Sequence, residues 1–177
     1  TNSLYSKRSS IYFHEFDKYT QNYLETLGNK IKYKYENLCG EKLELANSKD
    51  FRAILLRYEG KLANFPMHYD SELNYYYRTL ILIKKEGICP PFIYYDKDGK
   101  KQKIDLELNE AIFFKGSQTY HGVEKTNDPS TVRYVLGFQY IAKSRINDPL
   151  PKSICTELSG FKLKELFHKL KYNIIII

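Results

Sequence analysis

The chain has 177 residues, and its 28 Lys and Arg against 21 Asp and Glu leave a formal charge of +7. That length suits a single domain with a real core, and the basic residues are scattered, so they permit a nucleic-acid partner without requiring one. Cys39, Cys89 and Cys155 are too few and too widely spaced for a disulfide framework or a zinc site, which favours a reducing, cytoplasmic compartment. No apolar run is long enough to cross a bilayer, the closing isoleucines 174–177 included.

From residue 10 to about 38 the pattern predicts a helix. Ser10 is a candidate cap, and Ile11, Phe13, Phe16, Tyr19, Tyr23, Leu24 and Leu27 recur at spacings near three and four. Gly28 either ends or interrupts that helix, and the segment is expected to brace the outside of a sheet. After Gly40 short strands take over: 51–58, then a turn at 60–64, then Phe65-Pro66-Met67-His68. A continuous β-branched and leucine run at 79–83 reads as a strand buried on both faces.

Pro90-Pro91 precedes a strand at 92–95, and Asp96-Lys97-Asp98-Gly99 is a hairpin turn leading into 101–108. Further strands are expected at 111–114, around His121, and at 131–141 after a turn at 127–130. A C-terminal amphipathic helix is predicted from Leu158, Phe161, Leu163, Leu166, Phe167 and Leu170, followed by an isoleucine tail that either adds an edge strand or pairs with another chain. Many strands without intervening helices imply a β-sandwich or barrel, here a jelly roll. The organisation is one domain over 1–177: helical support to about 45, a core over 50–142, and a helix and tail over 150–177.

The chemistry concentrates in three segments. His68 and Asp70 are two apart, so an extended backbone turns both to one face. His121, on a distant strand, would complete a set of two imidazoles and one carboxylate, which suits a non-haem Fe(II) ion with open coordination positions. Arg133 sits in an otherwise apolar and aromatic strand, and an inward arginine needs an anion. A dicarboxylate held by its far end would satisfy it; pairing with Glu124 or Asp128 is the structural alternative.

These segments resemble the Fe(II)/2-oxoglutarate-dependent dioxygenases, in particular the prolyl 4-hydroxylase-like branch. The resemblance runs from about 51 to 140 and rests on Arg57-Tyr58, Gly60, His68-Tyr69-Asp70, Arg78-Thr79-Leu80, Leu108-Asn109-Glu110-Ala111-Ile112-Phe113-Phe114, His121-Gly122-Val123 and Thr131-Val132-Arg133-Tyr134. It implies a double-stranded β-helix (a jelly-roll or cupin-like barrel), iron on His68, Asp70 and His121, and 2-oxoglutarate held by Arg133 with Tyr58 beside it. Thr79 and Ile81, with Ile83, are expected in the wall of the cosubstrate pocket.

Two features depart from the family pattern. Pro90-Pro91-Phe92 stands where prolyl hydroxylases commonly carry a Gly-Gly pair, and an arginine replaces the lysine of the collagen-type enzymes. The implied activity is a hydroxylase that uses O2 and 2-oxoglutarate, with ascorbate as a reductant. A protein side chain of prolyl or lysyl type is the expected substrate, entering under the loop at 71–77. The alternatives are oxidative demethylation of nucleic acid and a non-catalytic binding module.

Overall fold

The computed structural model describes residues 8–61, 63–70, 76–145 and 175–176. The expected C-terminal helix, Cys155 and residues 71–75 of the expected substrate loop lie outside them. The elements are β1 (Arg8–Tyr12), α1 (Lys18–Cys39), β2 (Leu43–Leu45), β3 (Ala53–Glu59), β4 (Phe65–His68) and β5 (Tyr76–Glu86). They continue with β6 (Phe92–Tyr95), β7 (Lys101–Ile104), β8 (Ala111–Phe114), β9 (His121–Val123), β10 (Val132–Ala142) and β11 (Ile175–Ile176).

Two antiparallel sheets result. The larger runs β1-β3-β10-β5-β8-β11, with β2 paired to the end of β10, and the smaller runs β4-β9-β6-β7. Between them lie Ile54, Leu56, Leu80, Leu82, Phe92, Ile104, Ile112, Phe114 and Val135. The architecture is the expected jelly roll, but the sheets are not closed into a barrel. Among the described residues no ladder joins one sheet to the other, so their contact is side-chain packing alone. The backbone of β11 adds to the edge of β8 within the same chain, Ile175 opposite Phe113.

The N-terminal helix is shorter than its periodicity suggests. Residues 10–12 belong to β1, with Ser10 opposite Leu56, and α1 begins after Asp17, whose carboxylate accepts from the Thr20 amide at 2.9 Å. Phe13 and Phe16 are three apart, as on a helix, but Ile11 and Phe13 are two apart, as on a strand, and β3 offers a ladder that a lone helical turn lacks. Gly28 neither ends nor breaks α1; its carbonyl accepts from Tyr140 Oη at 2.9 Å. As expected, α1 braces the outer face of the larger sheet, where Leu24, Leu27, Ile31 and Tyr35 meet Leu43, Phe113, Phe138 and Tyr140.

Alternation along β10 and β5 divides the core from this outer layer. Arg133, Val135 and Gln139 turn inward to the cavity between the sheets, while Leu136, Phe138 and Tyr140 turn to the α1 side. On β5, Arg78, Leu80 and Leu82 turn inward, while Tyr77 and Ile81 join the α1 layer. The register slips where Tyr134 faces Lys84 but Val135 faces Leu82, which leaves Ile83 as the extra residue of a bulge, 43% exposed. The predicted strand is thus buried on both faces only up to Leu82.

Gly122 sets how closely β4 and β9 approach. A Cβ there would lie 2.7 Å from the Phe65 carbonyl oxygen, 2.9 Å from Met67 Sδ and 3.1 Å from Met67 Cα. Two of those three atoms are backbone, so the strand cannot yield by a rotamer change. Gly122→Ala should cost about 1–3 kcal/mol, the usual penalty for overpacking. It would appear as a lower urea midpoint at unchanged slope, and a midpoint equal to that of the parent would show that the strand spacing is set elsewhere.

Candidate metal centre

β4 and β9 place His68 directly opposite His121 in their ladder, with ring centroids 4.4 Å apart. The His68 Nδ1 lies 2.9 Å from the Pro66 carbonyl oxygen, and the His121 Nδ1 lies 2.8 Å from that of Thr119. A carbonyl can only accept, so each Nδ1 carries a proton and Nε2 is the nitrogen left to serve as a ligand. Both Nε2 atoms face Asp70: its Oδ1 is 3.2 Å from His68 Nε2 and 3.9 Å from His121 Nε2. One ligand atom from each of the three residues lies within 4.8 Å of the others.

Asp70 follows the end of β4, where its amide donates to the Gly116 carbonyl at 3.1 Å. Its Oδ2 is 2.9 Å from Arg78 Nε on β5. Burial works to raise the Asp70 carboxyl, but the Arg78 guanidinium and the two histidines outweigh it and hold the group well below the usual carboxylate range. Burial pushes the His121 imidazole down to about 4, so at neutral pH it is an uncharged donor. Phe65, Phe92 and Phe114 surround the two rings at centroid distances of 4.3, 5.5 and 4.8 Å.

This constellation lies in the wall of a cavity of about 510 Å3 between the sheets, a size suited to a small molecule and part of a larger one. Arg133 lines the same cavity and is 3% exposed. Its Nη1 donates to the Pro90 carbonyl at 3.1 Å, and its Nε has no hydrogen-bond partner among the described residues. Tyr58, its cross-strand neighbour on β3, places a ring 5.8 Å from the guanidinium carbon.

The structural alternatives for Arg133 are engaged elsewhere. Glu124 is held by Lys101 and Lys103, and Asp128 by Ser130 and the Ile88 amide. The nearby acid Asp105 is held by Lys85 at 3.2 Å. A guanidinium buried at this cost and turned into a cavity fits an anionic guest.

His68, Asp70, His121, Arg133 and Tyr58 therefore converge. Thr79 and Ile81 do not, which corrects the expected pocket wall. Thr79 Oγ1 bonds to Tyr35 Oη at 2.8 Å and to the Ile112 carbonyl at 3.0 Å, on the α1 side of the sheet. Ile81 packs in the same layer and Ile83 is the bulged residue. β5 presents Tyr76, Arg78 and Leu80 to the cavity instead. Tyr77 stacks on Phe113 at 5.2 Å.

The sequence reading assigned Arg78 no role. It carries the same signal as Arg133, a cation in phase with inward-facing apolar residues: Leu80 and Leu82 for Arg78, Val135 for Arg133.

No family model matches the chain, and no curated protein does. Solved structures do resemble it. A prolyl hydroxylase from Trichoplax adhaerens, in complex with a hypoxia inducible factor peptide fragment, aligns at TM-score 0.60 with 12% identity, over 82% of this chain and 68% of its own. HygX from Streptomyces hygroscopicus, with nickel, 2-oxoglutarate and hygromycin B bound, aligns at 0.57 with 9% identity, over 81% and 73%. A prolyl 4-hydroxylase from Phytophthora capsici aligns at 0.54 with 19% identity, over 91% and 57%. The chain spans about half to three quarters of the length of such structures. At these identities the likeness shows the fold, the double-stranded β-helix.

If three side chains share one ion, removing any one of them should weaken it. Calorimetric titration with Mn(II) should give one site per chain, and His68→Ala or His121→Ala should weaken it by at least about 100-fold, more than the loss of an outer hydrogen bond costs. Unchanged affinity in either variant would show that the ligands do not act together.

Proposed function

We propose that the chain is a non-haem Fe(II) dioxygenase that couples oxidative decarboxylation of 2-oxoglutarate to hydroxylation of a substrate, and that the substrate is a protein side chain of prolyl or lysyl type. The observation that carries this is a single cavity with two kinds of unmet demand. At one place two imidazoles and an ionised carboxylate converge, and at another a buried guanidinium leaves its Nε without a hydrogen-bond partner among the described residues.

The donor set suits iron: nitrogen and oxygen ligands on one side of an ion, without thiolates. His68, Asp70 and His121 would hold it, and Arg133 would hold the distal carboxylate of 2-oxoglutarate beside the Tyr58 ring. Bound iron would supply the O2 chemistry that links loss of CO2 from the cosubstrate to oxidation of a substrate C–H bond.

The chain's own part is to orient and to exclude water. The Pro66 and Thr119 carbonyls fix both imidazole rings in the tautomer that offers Nε2. Arg78 keeps Asp70 ionised in a buried place. Phe65, Phe92 and Phe114 shield the ring faces from solvent. Tyr12, Phe51 and Tyr69 bound other parts of the cavity with aromatic surface suited to a peptide side chain. The peptide complex of the Trichoplax prolyl hydroxylase supports that choice of substrate.

Purified protein supplied with Fe(II), 2-oxoglutarate and ascorbate should release succinate, faster in the presence of proline- or lysine-containing peptides. Asp70→Ala should abolish this. Stimulation by methylated oligonucleotides and not by peptides would replace the substrate assignment. No consumption of 2-oxoglutarate with any of these would overturn the activity.

Arg133→Ala should raise the 2-oxoglutarate concentration needed for half-maximal rate by about 100-fold, as expected for losing a charge-assisted hydrogen-bond pair. An unchanged requirement would remove Arg133 from the site.

A further inference from the structure

The Arg133 guanidinium is held by a carbonyl that is itself held from outside the cavity. Among the described residues, the Pro90 carbonyl is the hydrogen-bond acceptor that Arg133 Nη1 meets, at 3.1 Å. Two residues upstream, both peptide groups of Ile88 are tied down. Its amide donates to Asp128 Oδ2 at 2.7 Å, and its carbonyl accepts from Thr131 Oγ1 at 2.7 Å and Thr126 Oγ1 at 3.1 Å. Asp128 is fixed in turn through Oδ1, which accepts from the Ser130 amide at 2.8 Å and the Ser130 hydroxyl at 2.6 Å.

Gly87, just before, has φ +65°, and a Cβ there would lie 2.6 Å from Ser130 Oγ and 2.8 Å from Asp128 Oδ2. The two turns are therefore seated directly against each other. The chain between the clamp and the arginine is stiff. Pro90 and Pro91 fix their own φ angles, and each restricts the residue before it, Cys89 and Pro90 in turn. A displacement of Ile88 is thus carried to the Pro90 carbonyl rather than absorbed on the way.

We propose that Asp128 is a positioning residue for Arg133: by clamping Ile88 it fixes the Pro90 carbonyl, and through it the guanidinium orientation that determines how tightly the cavity holds a dicarboxylate. Asp128 does not line the cavity, and its hydrogen bonds run to Ile88, Thr126 and Ser130 rather than to His68, Asp70 or His121. Its effect falls on the distal carboxylate alone, so loss of the clamp weakens 2-oxoglutarate and leaves a 2-oxo monocarboxylate of the same length, 2-oxopentanoate, unaffected. The inference rests on the assignment of Arg133 as the carboxylate anchor.

The test is anaerobic calorimetry of the Fe(II)-loaded wild type, Asp128→Ala and Thr131→Val with both ligands, beside steady-state turnover. Thr131→Val removes one bond to Ile88 while keeping its shape, and so serves if Asp128→Ala folds poorly. The wild type should prefer 2-oxoglutarate to 2-oxopentanoate. Each variant should bind 2-oxoglutarate about tenfold more weakly, keep 2-oxopentanoate affinity within about twofold, and show the loss as a raised KM at nearly unchanged kcat.

Equal weakening of both ligands would mean general loosening of the fold and would overturn the proposal. So would unchanged 2-oxoglutarate affinity in both variants. A wild type that binds the two ligands equally would instead overturn the Arg133 assignment, and the positioning role with it.

Discussion

The site depends on one antiparallel pair. His68 and His121 face each other across the β4–β9 ladder, at the same level and on the same side of the smaller sheet. Side chains at paired positions are held to one separation by the backbone itself, so the distance between the two imidazoles does not rely on flexible side chains. What remains free is rotation of each ring, and the carbonyl two residues upstream removes that freedom for both. The third group arrives differently. Asp70 lies just past the strand end and is brought in by its amide bond to Gly116 and by Arg78 from the opposite sheet. Two donors are set by sheet geometry and one by electrostatics across the cavity.

That division explains why the cavity tolerates buried charge. Asp70 and Arg78 answer each other across the space between the sheets, whereas among the described residues Arg133 meets a neutral carbonyl and an aromatic ring. Burying a guanidinium without a carboxylate is costly, and Asp105, Glu107 and Glu124 are bound by lysines while Asp128 is held by Ser130 and the Ile88 amide. Lys85, opposite Arg133 in the β10–β5 ladder, removes Asp105 and Glu107 from contention. Neighbouring cations thus leave the Arg133 guanidinium free of their acids, an arrangement suited to an anionic guest.

Much of this was legible in the sequence because turn chemistry punctuates it clearly. The strands that follow Asp96-Lys97-Asp98-Gly99, Asn109-Glu110 and the Asp128 turn each start within a residue of the expected place, although β7 stops at Ile104. The shared face of His68 and Asp70 was read from their period-2 spacing, and His121 and Arg133 joined them through their chemistry and the family resemblance. Where the reading failed, two structures shared one pattern or a bulge broke it. The apolar spacing before Asp17 fits helix and strand alike until β3 is there to pair. Thr79, Ile81 and Ile83 alternate as a pocket wall would, but a strand buried on both faces carries two apolar sets. Nothing in their composition says which faces the helix. The inward set is betrayed by its arginine: Arg78 is in phase with Leu80 and Leu82, and a cation on the α1 side would have met only Tyr35, Phe113 and their neighbours.

Pro90-Pro91 and Arg133, the two features in which the sequence differs from the family it resembles, also meet at one atom pair, through the 3.1 Å bond from Arg133 Nη1 to the Pro90 carbonyl. A lysine ammonium has rotatable donors on a flexible stem and gains orientation from its ligand more than from a fixed backbone acceptor. A planar guanidinium can give one edge to the protein and keep other donors for a carboxylate, but only if the acceptor behind it stays in place. Prolines supply that stiffness and glycines would not. The two prolines and the arginine thus work as one feature, a stiff wall matched to a donor that needs one.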